Sequence, residues 1–205
     1  MKSKTATLTL AADDDNGICT SQSPAGAGSL TINGALASAG VATMDVARRI
    51  LFTFAADETG RTFVVTGTSR GGLAMTENVA GTASTASTVQ DFKTATEITI
   101  DAASAGAIIV GTGTVGCSEW VPLSANLNPF SVGVGCVVSG TVNYSVEHTY
   151  DSVQSGVANA TPVTHSTITG KTANFDGSYA APVSAIRLKM NSGTGTVTMT
   201  AIQAG

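Results

Sequence analysis

The two histidines and one nearby aspartate are the residues whose types could do acid–base chemistry. Within 205 residues the histidines are His148 and His165, and Asp151 follows His148 by three positions. A Ser–His–Asp triad could be drawn from His148, Asp151 and one of the many serines. A triad is defined by geometry rather than by nearness in sequence, and no G-x-S-x-G turn occurs. We therefore expect His148 to be a partly buried, hydrogen-bonded residue of the core or of an interface, and we expect no enzyme.

A run of acidic residues near the N-terminus could in principle bind a cation. Asp13, Asp14 and Asp15 precede Asn16 and Gly17, so hard oxygen ligands lie beside a turn signal. The spacing is not that of an EF-hand loop, which needs a glutamate at its twelfth position. We expect a solvated tight turn here, with no metal and no cofactor.

Three cysteines, Cys19, Cys117 and Cys136, cannot all pair with one another. Cys117 and Cys136 could meet across a hairpin, and the sequence leaves that pairing open. There is no CxxC spacing and no disulfide framework of the small secreted type. The default expectation is three reduced, buried thiols.

Trp120 and Phe130 lie in a proline-containing segment without a regular period, residues 117–130. An exposed tryptophan could stack on a sugar, whereas an apolar plug between two β layers uses the same residues. Aromatic residues make up only 5 % of the chain, which offers little for an aromatic-lined cleft. We expect Trp120, Phe130 and His148 to support the fold or a subunit interface.

Charge is scarce, and this excludes some partners. Charged residues are 12 % of the chain and the net charge is −4. Nucleic-acid binding needs clustered positive charge, and Arg48-Arg49 is the only adjacent basic pair. No run approaches the roughly 20 apolar residues of a membrane span, and the N-terminus does not read as a signal peptide. We expect a protein that is made and soluble in a cytoplasm and binds neither nucleic acid nor membrane.

Residues 119–150 hold the longest alternating run of the chain. From Gly140 onward, apolar or amphipathic side chains occupy every second position, the pattern of a half-buried antiparallel strand with one polar face. The predicted inner face is Val142, Tyr144, Val146, His148 and Tyr150, and the predicted wet face is Thr141, Asn143, Ser145, Glu147 and Thr149.

Similar patterns along the chain predict an all-β fold. Residues 48–79 predict a meander, residues 185–202 predict a terminal hairpin with Arg187 and Lys189 on its wet face, and 42–50 is the one possible short helix. Exposed loops are expected at 19–28, 81–89 and 151–162. We predict two consecutive antiparallel β-sandwich or jelly-roll-like units, residues 1–114 and 115–205, with one continuous sandwich as the alternative.

Four segments together resemble a family of small β-rich virion structural proteins of tailed bacteriophages. They are RTFVVTGTSRGGLAMTENVAG (61–81), QDFKTATEITIDAASAGAIIVGT (90–112), EWVPLSANLNPFSVGVGCVVSGTVNYSVEHTYDSV (119–153) and AAPVSAIRLKMNSGTGTVTMTAIQAG (180–205). The resemblance covers about residues 48–205 and is strongest at 120–123, at 140–144 and at the C-terminal segment. The first 47 residues match nothing in the family.

This resemblance implies a part of the virus particle, with capsid decoration (cement) as the first role: binding the outer capsid and stabilising it. The implied partners are copies of the chain itself, a trimer foremost, and the major capsid protein or another virion protein. The chain would be made in the bacterial cytoplasm and end in the virion. The family has no catalytic motif to carry over. Alternatives are a neck, tail or fibre-anchoring protein, or a carbohydrate-binding adhesion module.

Overall fold

A computed structural model describes residues 2–153 and 160–204. This part of the chain contains strands and no helix, which confirms the all-β prediction. The strands are β1 (Lys2–Thr9), β2 (Asp14–Gln22), β3 (Gly28–Ser29), β4 (Ala37–Ser38), β5 (Val41–Phe54), β6 (Thr62–Thr68), β7 (Ala74–Ala80), β8 (Thr85–Ser87), β9 (Phe92–Ile100), β10 (Ile108–Cys117), β11 (Val121–Pro122), β12 (Val132–Ser139), β13 (Asn143–Thr149), β14 (Val163–Thr164), β15 (Phe175–Tyr179), β16 (Ala185–Ser192) and β17 (Thr196–Gln203).

Hydrogen bonding groups these strands into antiparallel sheets of four and thirteen strands, consistent with a β-sandwich-like fold. The chain divides into two units, which we name for their place in the sequence. The terminal unit is Met1–Ala12 with Thr114–Gly205, and the central unit is Asp13–Gly113. The first twelve residues belong with residues 114–205, because β1 pairs along its whole length with β17.

The terminal unit contains the four-stranded sheet, in the order β1-β17-β12-β15. A second layer has the order β14-β13-β16, and β11 and the end of β10 pair with β16. Consecutive strands β16 and β17 therefore lie in different sheets, so the predicted terminal hairpin is wrong. The turns that connect the layers pack closely: a Cβ on Gly193 (φ +99°) would lie 2.3 Å from the Thr141 carbonyl oxygen, so the tight turn needs glycine there.

The prediction of one wet face on β13 is also wrong. Val142, Tyr144 and Val146 are buried as expected, and Tyr150 is exposed. On the other face Ser145, Glu147 and Thr149 are buried too. The reason is that Glu147 is neutralised by cationic side chains of the neighbouring strand β16, so the polar face can be covered without leaving an isolated charge.

In the central unit, β9 lies between β5 and β6, and β6 forms a hairpin with β7. The hairpin confirms part of the predicted meander, but β5 and β6 are not neighbours. The core is apolar and rich in phenylalanine; Phe52, Phe54 and Phe63 are buried with ring centroids 5.1 to 6.2 Å apart.

The possible helix at residues 42–50 is instead part of β5. The pairing of β5 with β9 is irregular between Thr43 and Arg48. Such a bulge inserts extra residues into one strand and shifts the phase of its alternation. Buried residues consequently fall at Ala42, Met44, Ala47 and Ile50, a spacing close to that of a helix face.

The structure can be compared with the three segments that the sequence predicts as loops. β2 begins at Asp14 and runs through Gln22, so the turn expected at residues 13–17 and the loop expected from Cys19 are wrong at those positions. Residues 81–89 include β8, which pairs with β5, and a fully buried Thr88. Most of the predicted 151–162 loop, residues 154–159, lies outside the described residues.

Candidate functional site

The exposed side of the four-stranded sheet is the first candidate, because most of its residues are small and uncharged. We call it the threonine face. Side chains alternate between buried and exposed along its strands, so the register places one set together on the exposed side. That set is Ser3, Thr5, Thr7 and Thr9 of β1; Thr196, Thr198, Thr200 and Ile202 of β17; Gly133, Gly135, Val137 and Ser139 of β12; and Asp176 and Ser178 of β15.

Cross-strand hydroxyl contacts order the β1–β17 side of this face. The hydroxyl oxygens of Thr9 and Thr196 are 2.8 Å apart, and those of Thr7 and Thr198 are 3.3 Å apart. Asp176 is the one charged residue in the set. The surface therefore presents methyl groups, paired hydroxyls and backbone, and a partner could cover it without removing many charges from water.

Two large apolar side chains and two glycines complete the face. Val137 is 61 % exposed and Ile202 is 43 % exposed. A Cβ added to Gly133 or to Gly135 would meet nothing within 4 Å. Internal packing therefore does not require glycine at either position, and glycine in a strand marks sites where another backbone approaches closely.

A charged cluster on the other layer of the terminal unit is the second candidate. Arg187 donates through Nε to Oε2 of Glu147 at 2.9 Å, with Nη2 2.7 Å from the same oxygen. Lys189 Nζ lies 3.3 Å from Oε1 of Glu147. Both carboxylate oxygens are thus engaged by cations, which suits a structural ion pair better than a base that must accept a substrate proton.

Trp120 belongs to this charged cluster. The guanidinium carbon of Arg187 lies 4.5 Å from the centroid of the Trp120 ring, a cation–π contact. Trp120 is half-buried and Phe130 is 9 % exposed. The sequence singled out Trp120 and Phe130 for their apolar character, but nothing in their spacing indicated the cationic partner of Trp120.

The third candidate is a cluster of aromatic rings that we call the histidine corner: His148, His165 and Tyr179. The ring centroid of Tyr179 lies 5.2 Å from that of His148 and 4.7 Å from that of His165, both in edge-to-face geometry. Burial, with a smaller effect of His165, lowers the pKa of His148. Burial raises the pKa of Tyr179 above its ordinary value.

The geometry does not assemble the triad considered from sequence. The hydrogen-bond partner of His148 Nδ1 is the Tyr179 hydroxyl at 3.4 Å. The Asp151 carboxylate accepts a hydrogen bond from the backbone N–H of Thr161 at 2.6 Å, and hydrogen bonds from Thr161 lower its pKa.

The cysteines are free thiols, and all three are buried. Burial raises the pKa of Cys19 to about 12. It raises that of Cys136 to about 11, although a hydrogen bond with Tyr144 opposes the shift. Thiols that stay protonated near neutral pH are poor nucleophiles and poor metal ligands. Within residues 2–153 and 160–204, no group of three or more His, Cys, Asp or Glu side chains could hold a metal ion.

The central unit also buries two charged residues, and each is engaged by nearby groups. Glu58 is 1 % exposed, and its Oε1 accepts hydrogen bonds from the backbone N–H groups of Ala105 (2.8 Å) and Gly106 (3.0 Å). Arg48 is 2 % exposed and donates to the Gly113 carbonyl at 2.8 Å, with Asp45 Oδ1 at 3.2 Å. These contacts hold loop and strand backbone in place.

Sequence reasoning missed the engagement of Glu147 and the role of Tyr179. A signal existed for the first: Glu147 lies on the polar side of one strand, while Arg187 and Lys189 lie on the polar side of another. Antiparallel pairing of those strands sets Glu147 directly opposite Arg187. No local signal brings Tyr179 to the histidines, because the contact depends on the pairing of β15 with β12.

The described residues contain no helix long and apolar enough to cross a membrane. Comparison with family models, with curated proteins and with solved structures finds no match to this chain.

Proposed function

We propose that the chain is a structural protein of a tailed-bacteriophage virion, and that it decorates the outer capsid and stabilises it. Two lines of argument support the proposal. The sequence segments named above resemble small β-rich virion proteins. The threonine face is the single structural observation that carries the docking role.

The threonine face suits a protein surface as its partner. It is built on four hydrogen-bonded strands, so little backbone entropy is lost when it is covered. Exposed Val137 and Ile202 can supply apolar contact, and the open positions at Gly133 and Gly135 let a second backbone come close. Low charge over the whole chain fits a protein that is packed against a larger assembly.

Self-association is the second part of the proposal. A trimer at a threefold or local threefold site would pin neighbouring capsomers against internal DNA pressure. Residues 81–89 and the segment 151–162 are further candidates for capsid contact; within the first, Val89 is 73 % exposed.

The first test is to purify particles from a lysate of the bacterium that carries the gene and to count this chain against the major capsid protein by mass spectrometry. Decoration predicts a copy number of the same order as that of capsomers, and the free protein should be a trimer by light scattering. Six or twelve copies per particle would move the role to the neck or tail. Absence from particles would contradict the proposal.

A second test targets the threonine face. Ile202→Glu places a charge on the face and is expected to weaken binding to undecorated particles at least tenfold in a sedimentation assay, because the charge must be buried on docking. Leu73→Glu is the matched control, since Leu73 is 39 % exposed in the central unit. Equal binding by both variants would remove the threonine face from the proposal.

The carbohydrate-binding alternative predicts glycan-array signals that Trp120→Ala abolishes. Arg187 already lies over the Trp120 ring, so the geometry favours this role less. Glycan binding that is retained in Trp120→Ala would rule out Trp120 as the residue that stacks on the sugar.

A further inference from the structure

The chain contains two histidines, and the fold brings both to one tyrosine. His148 lies on β13, His165 follows β14, and Tyr179 ends β15. Histidine is the side chain whose ordinary pKa, about 6.5, lies nearest to neutrality. Side-chain titration between about pH 5.5 and 7 is therefore concentrated at this one corner of the terminal unit.

The hydrogen bonds of His165 fit one neutral tautomer. His165 is 5 % exposed, and its Nδ1 lies 3.1 Å from the backbone nitrogens of both Thr167 and Ile168. Backbone N–H groups donate, so Nδ1 must carry a lone pair. Nε2 lies 3.3 Å from the Ser178 carbonyl oxygen, which only accepts, so Nε2 carries the hydrogen. An imidazolium has no lone pair left to accept either backbone N–H.

These bonds link two segments. Through Nδ1 the ring holds residues 165–168, and through Nε2 it reaches β15 at Ser178. The same segment is anchored to β13, because Ile168 accepts from the backbone N–H of Val146 at 2.9 Å. Protonation of His165 therefore acts on the junction of β13, β15 and the segment between them.

His148 adds a second reason for the rings of the histidine corner to be neutral. Its ring is half-buried between Tyr150 and Tyr179, with edge contacts at 5.4 and 5.2 Å. Burial and the nearby His165 both lower the pKa of His148. A proton on either ring would place a positive charge beside the other.

No acidic group in the described residues forms an ion pair with either ring to offset that charge. On β13, Glu147 is on the opposite face, engaged with Arg187 and Lys189 of β16. β14 (Val163–Thr164) contributes no titratable group. β15 contributes Asp176, which register places on the threonine face, and Tyr179. The remaining titratable neighbours are Tyr150, which follows β13, and Cys136 of β12, whose pKa burial raises to about 11.

We propose that the histidine corner is an acid-sensitive latch: protonation of His165 breaks both hydrogen bonds that its Nδ1 accepts, a proton on His148 adds a positive charge beside it, and acidification thereby loosens this end of the terminal unit. Because burial lowers the pKa of His148, the folded protein binds fewer protons there than the unfolded chain, so this contribution to stability is full above the ordinary histidine pKa and falls as the pH decreases below it. A histidine kept neutral in the fold raises the unfolding equilibrium constant by at most about tenfold per pH unit. The central unit, Asp13–Gly113, has no histidine, so histidine protonation makes no contribution to the pH dependence of its stability.

The single tryptophan makes the test specific to one unit. Trp120 lies in the terminal unit, so its fluorescence follows urea unfolding of that unit, while far-UV circular dichroism follows both. Between pH 6.5 and 5.5 the fluorescence-detected unfolding constant is expected to rise by up to about fivefold for each histidine that the fold keeps neutral. His148→Gln and His165→Gln should each lower the slope, and the double variant should be flat over this range. A flat wild-type profile, or an unchanged slope in the double variant, would overturn the latch.

A measurement on the unaltered protein covers the case in which His165→Gln does not fold. Nitrogen-15 NMR should show the His165 ring as the Nε2–H tautomer at pH 7, and any change on acidification should coincide with loss of the protected Ile168 amide. A doubly protonated His165 ring at pH 6 with the Ile168 amide still protected would overturn the proposal.

Discussion

The two units bury different kinds of aromatic residue. Four of the six phenylalanines, at positions 52, 54, 63 and 92, are buried in the central unit. The terminal unit has both histidines, the tryptophan and all three tyrosines. Aromatic packing in the central unit is therefore purely apolar, whereas in the terminal unit it includes groups that donate, accept or titrate. Two units of one all-β chain consequently have different responses to pH.

Buried charge is also handled differently in the two units. In the central unit, Glu58 is engaged by backbone N–H groups, and Arg48 by a backbone carbonyl and Asp45. In the terminal unit, Glu147 is engaged by the side chains of Arg187 and Lys189 across a strand pair. Backbone partners cannot be lost by substitution, whereas side-chain partners can. Removal of the Glu147 charge therefore leaves cationic side chains behind, whereas removal of the Glu58 charge leaves backbone N–H groups.

The largest effect is expected from Phe63→Ala in the central unit. Phe63 is fully buried, and its ring centroid lies 5.1 Å from that of Phe52 and 5.3 Å from that of Phe54. Removing a buried ring should lower the free energy of unfolding by about 4 kcal/mol. The part of the circular dichroism signal that comes from the central unit should be lost at a lower urea concentration. The urea midpoint of the Trp120 fluorescence transition should stay unchanged.

The matched control is Phe175→Ala, because Phe175 is 36 % exposed in the terminal unit. Its cost should stay near about 1 kcal/mol. If Phe63→Ala shifted the Trp120 transition as far as the dichroism transition, the two units would unfold as one, and the separation drawn above would fail.

A smaller effect is expected from Glu147→Gln in the terminal unit. The change removes the negative charge that Glu147 presents to both Arg187 and Lys189 in a mostly buried position. Losing one partner of a buried pair should cost about 3 kcal/mol, and Trp120 fluorescence should report it. Glu97→Gln is the control, because Glu97 is exposed and hydrogen-bonded to Ser29, and its cost should stay within about 0.5 kcal/mol. If Glu147→Gln and Glu97→Gln lowered the free energy of unfolding equally, solvent would already screen the ion pairs of Glu147.

The contrast between Glu147 and Glu97 illustrates a limit of the sequence pattern. Alternation predicts where strands lie, but it does not predict which strands pair. Period-two patterns located β12, β13, β16 and β17, because an apolar side chain at every second position has few other uses. The same patterns do not identify strand partners. β16 and β17 are adjacent in sequence but lie in different sheets, and β1 pairs with β17 from the other end of the chain.

The contacts at the candidate sites depend on those strand partners, which the sequence does not identify. The positions of Trp120, Phe130 and His148 suggested support of the fold or of a subunit interface, and that role stays a prediction. The charge on Glu147 suggested water, but pairing with Arg187 allowed it to be covered. In β5, the irregular pairing with β9 places the buried residues at a spacing close to that of a helix face. Local composition cannot reveal either effect, since both arise from a neighbouring strand.

The smallest effect is expected from Gly133→Ala, which tests the role of the threonine face. Gly133 has open space around the position of a Cβ and is not among the residues with positive φ. Gly133→Ala should therefore raise the free energy of unfolding by about 0.5 kcal/mol, because alanine has less backbone freedom to lose on folding.

Gly67→Ala is the matched strand glycine in the central unit, where a Cβ would lie 1.9 Å from the Thr94 carbonyl oxygen. That overlap forces β6 and β9 apart and should cost about 2 kcal/mol or more. A glycine kept where alanine would stabilise the fold calls for a reason outside the fold. If Gly133→Ala stabilises the protein and also weakens its binding to undecorated particles, close approach of a partner backbone is that reason. If it stabilises the protein and binding is unchanged, Gly133 is not part of the docking surface, and Val137 and Ile202 remain to be tested as its contacts.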